Sequence, residues 1–306
     1  MTTRVPAQAE RQRATPGAGT LPAVWVNGRR HDPAGAHLSA FDRGFTLADG
    51  LFETMRVYGG VPFRLAQHLA RLERGAAALD IPLPAAVREW VLAAVADAGA
   101  PELAVRLTVS RGAGGAGLAP PPASACTPTV VVTVSALPAF PSSTYDAGLV
   151  GHVATGRRNE RSATAGLKTL AYTESVAALL EARRAGADEA ILLDTDGHCS
   201  EASASNLFAW TGTELLTPPL SCGALPGITR EAVLEAARAR RVPTEERPFA
   251  LEELLAAREA FLTSSLREIA PLVRVGASPI GGGAPGPVTR EISAAFRALV
   301  RGECGA

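Results

Sequence analysis

Gly166-Leu167-Lys168-Thr169-Leu170-Ala171-Tyr172 holds the single lysine of a 306-residue chain in which lysine and arginine together number 30. Arginine has been used wherever a surface cation serves. At one position a primary amine is kept. Arginine does not lose its proton in proteins, whereas lysine can be deprotonated and attack a carbonyl as a nucleophile. Count alone leaves two readings open, a chance survivor or a retained reactive amine, and the surroundings of Lys168 have to decide.

Three further stretches of the second half bear on that choice. Glu201 lies in Asp196-Gly-His-Cys-Ser-Glu-Ala-Ser-Ala-Ser-Asn206, a hairpin arm on which a carboxylate is either solvated or aimed at a partner. Leu225-Pro-Gly-Ile-Thr-Arg230 is a tight turn opening a helix, which is either a plain capped end or an anion site built from free N–H groups. Leu262-Thr-Ser-Ser-Leu266 reads as a strand ending in hydroxyls, suited to a phosphate or to capping the next turn. An amine nucleophile, a carboxylate for a pyridine nitrogen and a cup for a phosphate ester are together the needs of pyridoxal 5′-phosphate.

The rest of the chain suits a two-domain enzyme of ordinary composition. Formal net charge is zero, so no electrostatic excess draws nucleic acid or an anionic membrane surface. Cys126, Cys199, Cys222 and Cys304 show no CxxC spacing, so neither a zinc site nor a disulfide framework is expected. No apolar run is long enough to span a bilayer, residues 1–21 lack the apolar core of a signal peptide, and a cytoplasmic protein is expected. Residues 1–21 read as a disordered tail.

Periodicity places the elements. Val24-Trp25-Val26 runs into Asn27-Gly28, a hairpin signal. From Leu51 to Tyr58 the chain alternates, with Phe52, Thr54, Arg56 and Tyr58 on one face and Leu51, Met55 and Val57 on the other. After a Gly59-Gly60 turn, Leu65, Leu69, Leu72, Ala76 and Leu79 form one stripe of a helix. A second helix is expected over 85–98, strands over 103–110 and 129–137, and a domain boundary around Pro138–Tyr145. Beyond it come a helix over 172–184, strands at 189–194 and 207–210, and a helix from Thr229 with Arg238, Arg240 and Arg241 at its end. The expected division is a small first domain over 22–140, a linker over 141–145 and a larger domain over 146–306.

Lys168 with its flank, Glu201-x-x-x-x-Asn206-Leu207-Phe208, Gly227-Ile-Thr-Arg230 and Thr263-Ser-Ser-Leu-Arg-Glu-Ile-Ala-Pro271 together resemble the class IV aminotransferases. Asp42-Arg43-Gly44, Asp49-Gly-Leu-Phe-Glu-Thr54 and His68-Leu-Ala-Arg-Leu72 extend the resemblance into the first half. It covers the chain from about Val24 to Gly302. This group contains branched-chain and D-amino-acid transaminases and 4-amino-4-deoxychorismate lyase. The resemblance implies an α/β (α+β) fold of fold type IV, with a small N-terminal and a larger C-terminal α/β domain, and pyridoxal 5′-phosphate as cofactor. It implies a homodimer acting on small amino acid and keto acid substrates.

By motif, Lys168 would hold the cofactor as a Schiff base and later serve as general base. Glu201 would face the pyridine nitrogen. Arg71, Ile228, Thr229, Ser265 and the Leu266 amide would hold the phosphate, with Tyr172 near the cofactor. For the substrate carboxylate, Arg106 in Ala104-Val-Arg-Leu-Thr108 is the first candidate, followed by Arg56 and Arg43.

Subfamily signals are mixed. An Arg-x-His loop typical of bacterial D-amino-acid transaminases is missing, Ala116 stands where the lyases can carry arginine, and Leu47 where branched-chain enzymes place a tyrosine. Gly286-Pro-Val-Thr-Arg290 resembles the branched-chain group, and the stretch from Arg158 to Glu174 the lyases. A transaminase is expected over a lyase, and a non-catalytic cofactor-binding paralogue is the remote alternative.

Overall fold

The computed structural model describes residues 21–114 and 117–305. The tail expected over 1–21 therefore lies, apart from Leu21, outside the described residues, as does Ala116.

The first half is one antiparallel sheet backed by helices. Its strands are β1 (Ala23–Val26), β2 (Arg29–His31), β3 (Gly50–Tyr58), β4 (Val61–Pro62), β5 (Leu103–Ser110) and β6 (Thr129–Ala136), in the order β2-β1-β6-β5-β3-β4. Val26 pairs with Arg29 across a two-residue turn in which Asn27 and Gly28 both have positive φ, the geometry that matches strand twist. α1 (Arg43–Leu47) precedes β3, while α2 (Leu65–Ala78) and α3 (Val87–Ala98) cover one face. Leu51, Met55 and Val57 meet Leu65, Leu69, Leu72, Val91 and Val95 there in a single core. The other face of β3 carries Phe52 and Thr54 toward the second half, as alternation requires.

After α4 (Ser143–Asp146), the second half contributes β7 (Leu149–Arg158), α5 (Thr173–Arg184), β8 (Glu189–Asp194), β9 (Cys199–Ala202), β10 (Asn206–Trp210) and β11 (Leu215–Thr217). α6 (Ile228–Ala239), β12 (Thr244–Glu246), α7 (Leu251–Ala256), β13 (Glu259–Ser264), β14 (Glu268–Val275), β15 (Ser278–Pro279) and α8 (Pro287–Cys304) complete it. The strands run β12-β11-β10-β13-β14-β7-β8-β9, with β15 on β14. β9 also pairs with β10 through Glu201 and Asn206, so six strands close on themselves as a barrel. Leu149, Ile191, Leu207, Leu262 and Leu272 belong to one core and Phe208, Phe261, Ile292 and Phe296 to another, the second joined by Tyr58 and Phe63 from the first half.

Expected elements and observed ones agree to within two residues at most ends. The strand expected over 262–266 instead spans Glu259–Ser264, leaving Ser265 and Leu266 in the turn that follows. The end of that strand, Thr263 and Ser264, and the turn after it both line the cavity between the two sheets.

Candidate active site

Between the two sheets lies a cavity of about 320 Å³. The lysine segment is anchored to its rim by backbone pairing with β3. Phe52 N–H donates to the Lys168 carbonyl at 3.0 Å and Leu170 N–H to the Gly50 carbonyl at 2.9 Å, so the segment acts as a short extra strand. This fixes the Lys168 side chain in the cavity, where its Nζ donates to the Tyr172 hydroxyl at 3.2 Å and sits 4.4 Å from the centre of the Phe52 ring. Burial pushes the amine down to about 8, helped by the positive charge of Arg71 and opposed by Glu53 and Glu201. At that value a useful fraction is unprotonated near neutral pH, as a nucleophilic amine requires. The Tyr172 hydroxyl is raised to about 12 by burial and by Glu201, so it stays protonated.

Glu201 enters from β9. One carboxylate oxygen pairs with Arg158 at 2.9 Å and the other accepts the Leu225 N–H at 2.9 Å. Burial raises this carboxyl, and Arg158 pulls against it. The β7–β8 register shifts between Val153 and Arg157, a strand irregularity that comes just before Arg158.

Arg71 is not the solvated helix-face arginine that its polar character allows. It is 6% exposed and gripped by a buried carboxylate: its Nε and Nη2 donate to the two oxygens of Glu53 at 2.8 and 2.6 Å, and its Nη1 to the Pro226 carbonyl at 2.8 Å. His68, one helical turn earlier, lies 2.6 Å from Glu53 through Nδ1. Burial by itself would raise the Glu53 carboxyl. The hydrogen bonds from Arg71 and His68 overrule it and hold the group at about 2.

Beside Arg71, α6 begins at Ile228 with Gly227 as its cap residue. The N–H groups of Ile228 and Thr229 have no acceptor within their own helix. A side chain at Gly227 would have no room, because its Cβ would stand 2.0 Å from Asn206 Oδ1. Asn206 in turn donates to the Leu225 carbonyl at 2.8 Å and clamps the turn. Ser265 and Leu266 lie on the same cavity wall, and the Thr263 hydroxyl is buried there without a hydrogen-bond partner among the described residues.

The substrate arginines separate. Arg106 reaches the cavity from β5, its guanidinium 3.8 Å from the centre of the Phe52 ring, and among the described residues no carboxylate lies within ion-pair distance of it. Arg56 and Arg43 are not brought to the cavity. Arg56 pairs with Glu102 and Glu268 and packs on Tyr58, because residues of β3 that share a face still lie about 7 Å apart per pair along the strand. Arg43 is 3% exposed and bound to Asp49 and to the Gly117 and Leu118 carbonyls.

Glu53, His68, Arg158 and Asn206 received no role from the sequence, and Thr263 only as one of the hydroxyls of its segment. For Glu53 a signal existed: it is the charged residue on the core face of an otherwise apolar alternation, and His68 and Arg71 share a helix face at a spacing of three.

A buried amine, a buried carboxylate and the start of a helix line one cavity. Residues 50–275 match the model of the family described as amino-transferase class IV. The chain belongs to that family. It is 31% identical over 295 residues to the branched-chain-amino-acid aminotransferase of Salmonella typhimurium, covering 92% of this chain and 93% of the relative. It is 34% identical over 257 residues to the aminodeoxychorismate lyase of Bacillus subtilis, covering 82% and 86%. Among solved structures, the T.th. branched-chain amino acid aminotransferase with pyridoxamine 5′-phosphate superposes with a TM-score of 0.85 at 26% identity, covering 92% of this chain and 95% of that one. This chain is accordingly a pyridoxal-phosphate-dependent aminotransferase of fold type IV. The cavity fits that cofactor: the orphaned Thr263 hydroxyl and the side-chain-free cradle at Gly227 mark polar space of the kind a phosphate ester fills. Among the described residues no helix is long and apolar enough to cross a membrane.

Proposed function

We propose that this chain transfers amino groups between small amino acids and 2-keto acids of the branched-chain or D-amino-acid kind, with Lys168 as its catalytic base. The observation that carries the reading is the single lysine of the chain standing in the cavity with Arg71 and Glu201 set around it. When bound, pyridoxal 5′-phosphate supplies a carbonyl that condenses with amines and a ring that takes up electrons from the substrate Cα.

The chain's own residues do the rest. Arg71 and the N–H groups of Ile228 and Thr229 hold the phosphate, joined by Ser265 and the Leu266 amide. Glu201, its charge oriented by Arg158 and the Leu225 N–H, keeps a proton on the ring nitrogen. Lys168 would be the amine that meets the cofactor's carbonyl and, when free, the base placed to take the proton from the substrate Cα. Tyr172 orients that amine through the 3.2 Å hydrogen bond. Arg106, without a carboxylate partner of its own, binds the substrate carboxylate.

In this reading the sheet of residues 22–140 is the substrate-side domain, 146–306 the cofactor domain and 141–145 the linker. The enzyme works in the cytoplasm as a homodimer. Phe41 and Phe45, 80% and 79% exposed at and just before α1, give a second copy an apolar surface to cover.

A second reading, 4-amino-4-deoxychorismate lyase, is favoured by the 34% identity to the Bacillus relative. One experiment separates the two: incubation with D- and L-amino donors plus 2-oxoglutarate or pyruvate, and in parallel with aminodeoxychorismate alone. Keto acid formation from the amino donors supports the transaminase. Pyruvate and 4-aminobenzoate from the single substrate, with no transamination, overturn it. Borohydride treatment should fix the cofactor on Lys168, and Lys168→Arg should abolish both fixation and turnover.

A further inference from the structure

We propose that Asp194, His198 and Cys222 form a binding site for a zinc-class divalent cation, three residues along the chain from the Leu225 N–H that holds Glu201. The sequence spacing of the cysteines gives no hint of it, because the three residues come from a strand end, a hairpin turn and a separate loop. Folding brings one carboxylate oxygen, one imidazole nitrogen and one thiol sulfur within 4.8 Å of one another. This proposal does not depend on which substrate the enzyme takes.

The donor set is built and oriented. Asp194 closes β8 and is 2% exposed. Its Oδ1 accepts N–H groups from Asp196 at 3.1 Å and His198 at 2.8 Å, which pins the carboxylate and leaves Oδ2 facing the imidazole, 3.4 Å from His198 Nδ1. Backbone pairing of Asp194 N–H with the His198 carbonyl at 2.8 Å closes the hairpin that carries both residues. Such hydrogen bonds behind a metal ligand are what hold it in place for coordination. Cys222 ends a short 3₁₀ turn over Leu220–Cys222 and is 3% exposed.

Geometry and charge select the ion. Zinc with S, N and O ligands at about 2.0–2.3 Å in a tetrahedron keeps its ligand atoms roughly 3.3–3.8 Å apart. The 3.4 Å pair already has that separation, and no other pair needs to close by more than about 1 Å. His198 can make that move, since its side chain is 40% exposed on a turn. Thiolate and imidazole exclude magnesium and calcium in favour of zinc-class ions, and three protein ligands leave the fourth position to water. Glu160 and Asp196 add negative charge nearby, shared with the single Arg161. On binding, the Cys222 thiol proton passes to solvent as the sulfur–metal bond forms.

The position has a consequence for the catalytic cavity. Cys222 is followed by Gly223-Ala224-Leu225, and the Leu225 N–H is the donor that holds Glu201. A cation on Cys222 fastens this loop to the β8 hairpin.

The test uses the full-length holoenzyme dialysed against zinc, with bound metal quantified. Expected is one equivalent per chain, a rise in Tm with zinc, and no competition from a large excess of magnesium. Cys222→Ser and His198→Ala should each weaken zinc binding at least tenfold and abolish the Tm rise, while Cys126→Ser leaves both unchanged. Cobalt should give a thiolate charge-transfer band that disappears in Cys222→Ser. His198 is partly exposed, so His198→Ala remains decisive even where Cys222→Ser does not fold. Absence of stoichiometric zinc uptake, or uptake that survives in His198→Ala, overturns the site and leaves the aminotransferase assignment standing.

Discussion

Replacing Glu53 by glutamine tests whether Arg71 is held in readiness by a charge that never touches substrate. The change keeps shape and volume but removes the negative charge that accepts from both Arg71 and His68. The wild-type carboxyl lies at about 2 against an ordinary 4.5. At about 1.4 kcal/mol per pH unit, this puts the worth of its charged form at about 3 to 4 kcal/mol. Glu53 is fully buried, so solvent screening takes little away. The figure agrees with the roughly 3–5 kcal/mol lost when one partner of a buried ion pair is removed.

The sign with pH follows from a folded value below the unfolded one. The stabilisation is complete above about pH 4.5 and is lost as pH falls toward 2. Urea unfolding of holoenzyme at pH 7 should therefore show Glu53→Gln destabilised by about 3 kcal/mol, with the gap to wild type narrowing below pH 4.5. Cofactor retention on dialysis should fall in parallel, because Arg71 is no longer aimed. A variant within about 0.5 kcal/mol of wild type at pH 7, with unchanged cofactor retention, would refute the account.

Three further outcomes are expected. Arg106→Ala should keep its colour and lose about 10- to 100-fold in kcat/KM for carboxylate substrates, as deletion of a charge-assisted hydrogen bond implies, with simple amines affected less; cofactor loss instead would place Arg106 in the phosphate cup. Acylation of apo-protein, read by mass spectrometry at its one lysine, should rise through about pH 8, because burial lowers the Lys168 amine from 10.5 and only the unprotonated form reacts. A midpoint near 10.5 would mean that the cavity does not desolvate this group. Gly227→Ala should bind cofactor more weakly while the fold persists, since its Cβ would stand 2.0 Å from Asn206 Oδ1 and force the turn that opens α6 to shift; unchanged retention measured by dialysis would mean that the cradle tolerates a side chain.

Much of this protein is written in local pattern. The alternation of residues 51–58, the stripe from Leu65 to Leu79 and the Asn27-Gly28 turn each became the element their spacing requires, because period and turn chemistry are properties of neighbours in the chain. Lys168, Glu201 and the start of the Gly227–Arg230 turn, singled out by residue type, line one cavity, because the reactivity of an amine, the charge of a carboxylate and the free N–H groups of a helix start are local properties.

Partnership was another matter. Arg43, Arg56, Arg71 and Arg106 are the same residue in sequence, and only tertiary contacts sort them. Asp49 and the Gly117 and Leu118 carbonyls claim the first, Glu102 and Glu268 the second and Glu53 the third, leaving the fourth free to face the cavity. Cys222 reaches Asp194 and His198 in the same way, across a gap that sequence spacing does not reveal. Charge and reactivity belong to single residues, whereas burial and ion pairing depend on which distant segments the barrel and the six-stranded sheet bring together.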